Sequence, residues 1–465
     1  MIKHLLAATA TLALAACAAG PDYRAPATAA GAAAPFLGTG GPTLAAAPDD
    51  HWWRLYDDPV LNGLVEAALA ANTDVRVATA RLERARASLR EVRNDRIPQA
   101  TLGASGTYNR FSQAQRPPGV SGETWLIDGG LDVSYEVDLF GRVSRGVEAA
   151  RGDVAAAAAD ADAVRVAVVA DTTRAYADAA AAAARIAVAE RIVALLDRQV
   201  GTTERRTEAG LTTPLDTARI AALRDQRRAD IPSLVAERQA ALFRLATLTG
   251  RTPQELPPVA GERATALRIE QAIPVGDGAV LLARRPDVRA AERRLAAATA
   301  RIGVATADLY PRITLGGSVG QTSTGFGNLF GAGPLNFLLG PLLNWAVNPG
   351  KARARVAGAE ADTRAALATF DGTVLTALGE TEIALSTYAR SLERRAALQQ
   401  ALGQADRAAR ITRAQRREGQ IDSLSQLDAE RTLADAQAAL ALQDQLVADA
   451  QVDVFRALGG RWTAA

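Results

Sequence analysis

The chain has 465 residues, 53 basic and 51 acidic, and this near balance gives no indication of a nucleic-acid partner. Its one cysteine, Cys17, excludes an intramolecular disulfide and a cysteine metal cluster. Of its two histidines, His4 lies in the N-terminal leader, so the mature chain keeps only His51. A two-histidine zinc site or a Ser-His-Asp triad is thus close to excluded, and we expect no enzyme, no cofactor and no metal.

The N-terminus reads as a bacterial export signal. Lys3 and His4 precede an apolar run that is too short to cross a bilayer, which predicts a signal peptide over residues 1–16. The run ends in Leu14-Ala15-Ala16-Cys17, which resembles a lipobox, in which the cysteine is lipidated, by palmitate among other chains. Ala18, where an aspartate would favour retention, indicates delivery to the outer membrane by the same resemblance. An ordinary secretory leader with a coincidental cysteine is the alternative.

The segment after Cys17 has no periodicity. Residues 18–48 are rich in Ala, Gly, Pro and Thr, so we expect residues 17–48 to form an extended, lipidated tether. A helix is then predicted over residues 73–97.

Two strands follow, at about 100–111 and 124–139. In the second, apolar residues alternate with polar ones, and the polar face carries the carboxylates Asp128, Asp132, Glu136 and Asp138. One apolar and one charged face fit lipid outside and water inside, so these four residues are predicted to line a barrel lumen with modest cation preference. The edge strand of a soluble sandwich is the alternative.

Alanine-rich helices are predicted next, over 141–209 and 212–250, with Pro232 expected to kink or break the second. The second half of the chain repeats the order: a helix over 286–310, strands at about 312–322 and 335–347, and helices over 350–418 and 421–459. A soluble coiled-coil rod is the alternative for the long helices.

The two halves are related by an internal duplication. Asp74-Val75-Arg76 returns as Asp287-Val288-Arg289 after 213 positions, and Gly210 and Gly250 return as Gly419 and Gly459 after 209. We therefore predict two repeats, 49–283 and 284–460, followed by a tail at 461–465. Each pair of short helices would stack to about the length of one long helix, giving four columns per chain. Four strands cannot close a barrel in lipid, so a membrane location requires oligomerisation.

With the lipobox and the duplicated helix–strand–strand–helix unit, the chain resembles the TolC-like outer membrane efflux factors. The resemblance is to their lipoprotein branch (NodT/OprM type), which works with resistance-nodulation-division pumps, and it covers residues 17–460. The segments that carry it most specifically are His51-Trp52-Trp53, Asp138-Leu139-Phe140-Gly141-Arg142, Gly210-Leu211-Thr212-Thr213-Pro214-Leu215-Asp216 and Arg284-Arg285-Pro286-Asp287.

The resemblance implies an α+β membrane protein. Three chains would form a twelve-stranded outer membrane β-barrel, continued by a twelve-helix α-barrel in the periplasm. Residues 49–71 and 251–284 and the C-terminus would form a belt around the tube. The implied function is a passive export channel for drugs or other small molecules, lipid-anchored in the outer membrane.

The same resemblance implies a periplasmic tip at the turns 210–215 and 419–424. The residues that would contact a membrane-fusion adaptor there are Gly210, Leu211, Thr212, Thr213, Gly419, Gln420 and Ile421. Asp428 would line the closed aperture, although the alternative is a solvated helix face. Ser425 stands where the family commonly has a second aspartate, so Asp422 would supplement the aperture. Asp216 is expected to cap or pair locally.

The implied partners are two further copies of the chain, the adaptor, an inner membrane pump and outer membrane lipid. No nucleotide motif is present, so the pump must supply the energy. The alternative function is a periplasmic coiled-coil lipoprotein with an adaptor or scaffolding role. The alternating strands argue against it, because a rod needs no lipid-facing strands.

Overall fold

The computed structural model describes residues 18–28, 31–114, 116, 118–119, 121–328, 335–345 and 348–460. The expected signal peptide 1–16, the lipidation site Cys17, the tail 461–465 and residues 346–347 of the fourth strand lie outside them. The chain divides into two compact units, and both halves of the sequence contribute to each. The first holds the described residues of Met1–Ala27, Arg81–Ala158 and Ala290–Asp371, and the second those of Thr28–Ala80, Ala159–Arg289 and Gly372–Ala465.

The main helices and strands follow one another in the predicted order: helix, strand, strand, helix, helix, twice. Among the described residues the strands are β1 (Thr43–Leu44), β2 (Gln99–Arg110), β3 (Glu123–Val137), β4 (Ile273–Pro274), β5 (Arg312–Thr324) and β6 (Leu335–Asn344). The helices are α1 (Pro59–Ala71), α2 (Thr73–Asn94), α3 (Arg142–Glu208), α4 (Pro214–Leu248), α5 (Gly278–Arg284), α6 (Pro286–Ala307), α7 (Pro349–Arg417) and α8 (Ser423–Leu458).

The long helices α3 and α7 contain 67 and 69 residues. The shorter helices α2 and α6 end three residues before the predicted positions, at Asn94 and Ala307. The expected break at Pro232 is absent, since α4 continues through the proline. None of the helices in the described ranges combines the length and the apolar character needed to cross a membrane.

The first unit contains a four-stranded antiparallel sheet in the order β2-β3-β5-β6. Its register places Leu102 opposite Leu131, Leu131 opposite Val319, and Val319 opposite Phe337. Because side chains alternate between faces, this row defines an apolar face, and the neighbouring row through Asp132 defines a polar one. The outer edges of β2 and β6 have no partner strand among the described residues.

The second unit has an aromatic core. Trp52 stacks on Phe455 of α8, with ring centroids 4.6 Å apart, and Trp53 is almost completely buried. The Tyr176 hydroxyl of α3 donates to Asp58 at 2.9 Å, and Asp58 caps the start of α1. Trp52 therefore anchors the segment before α1 to α8, and Asp58 links the same segment to α3.

Two equivalent junctions join the short helices. Before α2, the Asn72 side chain donates to the carbonyl of Leu248, at the end of α4, at 3.0 Å. Before α6, Arg285 donates to the carbonyl of Ala457, at the end of α8, also at 3.0 Å. Both contacts lie in the second unit and follow the shifts of 213 and 209 that relate the two halves.

The N-terminal segment is bound to the protein, which corrects the expectation of a simple tether. In the first unit the Ala19 amide donates to the carbonyl of Phe140 at 3.0 Å, and Asp22 pairs with Arg145 at 2.6 Å. In the second unit the Glu382 carboxylate accepts from the amides of Leu37 and Gly38, at 2.8 and 2.7 Å. Most of these contacts involve backbone atoms and need no side-chain pattern, which is why the sequence showed none.

Candidate functional site

The polar face of the sheet carries two free carboxylates. Asp128 lies opposite Ser105 and Thr322, and Asp132 lies opposite Thr101 and Ser318. Within the described chain neither carboxylate makes a hydrogen bond or an ion pair, and both line an open groove of about 410 Å³. This face therefore presents uncompensated negative charge among small polar side chains.

Two of the four carboxylates expected in the lumen have another role. Glu136 forms a bidentate ion pair with Arg142, at 2.7 and 2.5 Å. Asp138 lies beyond the end of β3 and accepts from the amides of Val143 and Ser144, at 2.9 and 2.7 Å. Asp138 thereby caps the start of α3, because carboxylates bind the free amides at a helix start favourably. Glu136 ties β3 to Arg142, the first residue of α3. The alternation of apolar and polar residues continues past the end of β3, so the sequence pattern wrongly placed Asp138 within the strand.

The opposite face of the sheet is apolar and exposed. Leu102, Phe337 and Leu339 are 82%, 81% and 86% exposed. Leu338 and Leu342 share the polar face with Asp132, so β6 is apolar on both sides. So large an exposed apolar surface is unusual for a soluble protein and typical of a lipid-facing or subunit-facing sheet.

Aromatic rings lie at both ends of the sheet. Trp125 contacts Tyr108 and Phe326, with centroids 5.7 and 5.8 Å apart. At the other end Phe140 stacks on Tyr310 at 4.5 Å. Aromatic belts at both ends of an apolar band are typical of strands that cross a bilayer.

The turns between α3 and α4 and between α7 and α8 have the same backbone design. In the first, the amides of Leu211 and Gly210 donate to the carbonyls of Arg206 and Thr207 at 2.7 and 2.9 Å. In the second, Gln420 and Gly419 donate in the same way to residues 415 and 416, at 2.8 and 3.2 Å. Gly210 and Gly419 have φ angles of 71° and 72°, a left-handed conformation that glycine adopts without strain.

Each turn ends at a capped helix. Asp216 accepts from the amide and the hydroxyl of Thr213, at 3.3 and 3.0 Å, so the expected local capping role of Asp216 is confirmed. Leu211, Leu215 and Leu424 are exposed on these turns, at 70%, 57% and 50%. The tips therefore combine a hydrogen-bonded backbone with exposed apolar side chains.

The two aspartates assigned to the aperture differ in their contacts. Asp422 caps α8 by accepting from the Ser425 amide at 2.8 Å, and hydrogen bonds from Ser425 lower the pKa of Asp422. The Asp428 side chain is exposed and has no hydrogen bond or ion pair with any residue that the structure describes. The carboxylate of Asp422 is thus partly used within its own helix, whereas that of Asp428 is available.

An ion pair near the tips was missed by sequence reasoning. Arg413 of α7 binds Glu430 of α8 through two contacts of 2.5 and 2.7 Å, and the Glu430 side chain is only 3% exposed. It links the two helices of the second hairpin. No sequence signal could have identified it, because its partners lie on different helices with no fixed spacing.

A half-buried acid in the second unit was also missed. Asp449 of α8 lies near Asp178 and Arg174 of α3 and near Asp453, and its Oδ1 atom has no hydrogen-bond partner among the described residues. Burial raises the pKa of Asp449 to about 6, Asp178 and Asp453 add to the rise, and Arg174 opposes it.

The chain matches known proteins over nearly its whole length. The model of the outer membrane efflux protein family matches residues 64–251 and 279–460, one stretch in each half. The chain is 32% identical over 459 residues to outer membrane protein OprJ of Pseudomonas aeruginosa, which covers 97% of this chain and 94% of OprJ. It is 31% identical to the solvent efflux pump outer membrane protein SrpC of Pseudomonas putida, with 98% and 97% covered.

Solved structures share the fold. The outer-membrane channel OprN superposes with a TM-score of 0.89 and 39% identity, over 96% of this chain and 100% of OprN. The MtrE outer membrane channel of Neisseria gonorrhoeae, in its open state, gives a TM-score of 0.82 and 28% identity, over 96% and 98%.

Proposed function

The chain belongs to the outer membrane efflux protein family, an export-channel family, and on that premise we propose that three copies form the conducting unit. In this unit the four strands of each copy join in a twelve-stranded barrel, and the long helices continue the duct into the periplasm. The observation that carries the proposal is the antiparallel sheet, with one exposed apolar face and two open edges. An open edge in lipid leaves backbone groups unpaired at a cost of several kcal/mol each, and joining β6 of one copy to β2 of the next removes that cost.

The lumen of this barrel is the face that carries Asp128 and Asp132. Their charges are free, whereas those of Glu136 and Asp138 are used where β3 meets α3. Cation preference therefore depends on two acids per copy. A wide, water-filled duct with so few charged groups imposes little chemical selection, which suits a conduit for varied small molecules.

The tip turns are the contact sites for a periplasmic membrane-fusion adaptor. The contact residues are Gly210, Leu211, Thr212, Thr213, Gly419, Gln420 and Ile421. The exposed Leu211 and Leu424 provide apolar contact surface beside the hydrogen-bonded turns, and exposed apolar surface of this kind marks sites of protein interaction. An inner membrane pump of the resistance-nodulation-division type supplies the energy.

Asp428 lines the closed aperture between the tips, and three copies bring three carboxylates to one axis. Asp422 contributes less, because its carboxylate caps α8. The chain is organised as the repeats 49–283 and 284–460, preceded by a signal peptide and a lipidated Cys17. The matched contacts of Asn72 and Arg285 support that division.

Reconstitution into planar bilayers tests the channel. We expect stepwise conductance from purified trimers, and efflux in cells that lack their own channel but express the adaptor and pump. The paired variant Leu211→Ser/Leu424→Ser should lose efflux and keep conductance, because it alters only the tips. The matched control is Leu37→Ser, because Leu37 is an exposed leucine that does not belong to the tip turns. A protein that assembles but never conducts would contradict the proposal and favour a scaffolding role.

A further inference from the structure

A cleft near the tips gathers four arginines around one carboxylate. It has a volume of about 270 Å³ and lies in the second unit, between α3, α4, α7 and α8. Its charged lining residues are Arg198, Arg206, Arg413, Arg416 and Glu430. The carboxylate is already bound by Arg413 through two contacts, and it makes no contact with Arg198 or Arg206 among the described residues.

Arg198 and Arg206 carry the excess charge. They lie eight positions apart on α3 with Thr202 midway between them, so all three share one helix face. Neither guanidinium makes a hydrogen bond or an ion pair with any residue in the described ranges. Arg416 faces the same cleft from α7 and donates to the carbonyl of Ile421 at 3.1 Å.

We propose that this cleft binds a small multivalent anion, a phosphate or a polycarboxylate, held mainly by Arg198 and Arg206. Planar guanidinium groups bind such oxygens in pairs, and two of them with unused donors border one cavity. The side chains of Gln199 and Gln426 offer further polar groups at its wall. The volume is below that of pockets for drug-sized ligands, so it fits a free small anion and not a helix of another protein. A bound anion would neutralise the two cations on this face of α3.

Isothermal titration of purified full-length trimers in detergent tests the site, with citrate and inorganic phosphate as probes. Sodium chloride at matched ionic strength gives the non-specific background. We expect saturable binding of both probes. We also expect the temperature at which trimers dissociate to rise as the concentration of citrate or phosphate increases. The double variant Arg198→Gln/Arg206→Gln should bind at least about tenfold more weakly. Arg407→Gln removes an exposed charge from α7 outside the cleft and should bind like the wild type.

Two results would overturn the proposal: no heat beyond the chloride background in the wild type, or unchanged binding in the double variant. If the double variant does not assemble, the single variants Arg198→Gln and Arg206→Gln decide, because each should weaken binding severalfold. Conductance in chloride is recorded on the same samples. The binding measurement does not depend on transport. Absence of anion binding would therefore leave the channel proposal standing, and absence of conductance would leave the anion proposal standing.

Discussion

The guanidinium of Arg285 donates a hydrogen bond to the carbonyl oxygen of Ala457 at 3.0 Å, and so fixes the start of α6 to the end of α8. The same side chain pairs with Asp287 at 2.6 Å and with Glu380 of α7 at 2.7 Å. Its counterpart in the first half, Asn72, is neutral and makes the equivalent contact with Leu248. The second junction is therefore held by charge as well as by a hydrogen bond.

Arg285→Met should lower stability by roughly 2–4 kcal/mol, because a buried carbonyl loses its donor and two acids lose their cation. Asn72→Ala should cost less, about 1–2 kcal/mol. It removes the hydrogen bond to Leu248 and the side-chain oxygen that caps α2 by accepting from the amides of Asp74 and Val75. Heat-induced loss of folded protein measures both. Arg293→Met, at an exposed position of α6, is the control and should change little. Equal effects of Arg285→Met and Arg293→Met would contradict the junction.

Asp449→Asn should stabilise the protein at neutral pH. The pKa of Asp449 is raised from 3.8 to about 6 in the folded state, so the ionised carboxylate lowers folding stability as pH rises through that interval. The gain should be on the order of 1–3 kcal/mol above pH 7 and should vanish near pH 4, where the carboxyl is protonated in the folded state. Melting temperatures across this pH range measure it. Asp406→Asn, at a partly exposed acid of α7 that pairs with Arg410 at 3.2 Å, should show no such dependence.

Cation preference should depend on Asp128 and Asp132. The double variant Asp128→Asn/Asp132→Asn should reduce the reversal potential measured in a salt gradient. Glu136→Gln and Asp138→Asn should leave that potential unchanged, because their charges are engaged where β3 meets α3. An equal contribution from all four acids would restore the assignment made from the sequence alone.

The two sheet faces should differ in their tolerance of charge. Val133→Arg places a cation on the apolar face and should cost roughly 2–4 kcal/mol near the bilayer midplane. Asp132→Arg, one residue away on the polar face, should still yield folded trimers. The yield of heat-resistant trimer compares the two variants directly. Similar yields would mean that the faces are wrongly assigned.

Asp428→Ala should relieve block by a trivalent cation complex added on the periplasmic side, because three carboxylates on one axis attract multivalent cations. Asp422→Asn, which keeps an acceptor for the Ser425 amide, should relieve the block only slightly. Single-channel recording distinguishes them. Relief by Asp422→Asn without relief by Asp428→Ala would place the wrong face of α8 at the pore.

Periodicity predicted most of the fold. The four sheet strands start within one residue of the expected positions, because alternation of apolar and polar residues is a direct consequence of a two-faced sheet. The role of Asp138 could not be predicted, since the same alternation continues by chance beyond Val137. The role of Glu136 was hidden because its partner, Arg142, belongs to the next helix. The partners of Arg285 and Arg413 were also inaccessible, because these pairs join helices whose packing the sequence does not specify.

Labelling with radioactive palmitate should mark the wild-type protein and not Cys17→Ala. Cys17 lies just two positions before Ala19, whose amide is held by Phe140 immediately before α3. Two residues span at most about 7 Å, so acyl chains attached at Cys17 would be confined to the level where the sheet gives way to the helices. The lipid anchor would then limit how far the barrel can shift along the bilayer normal.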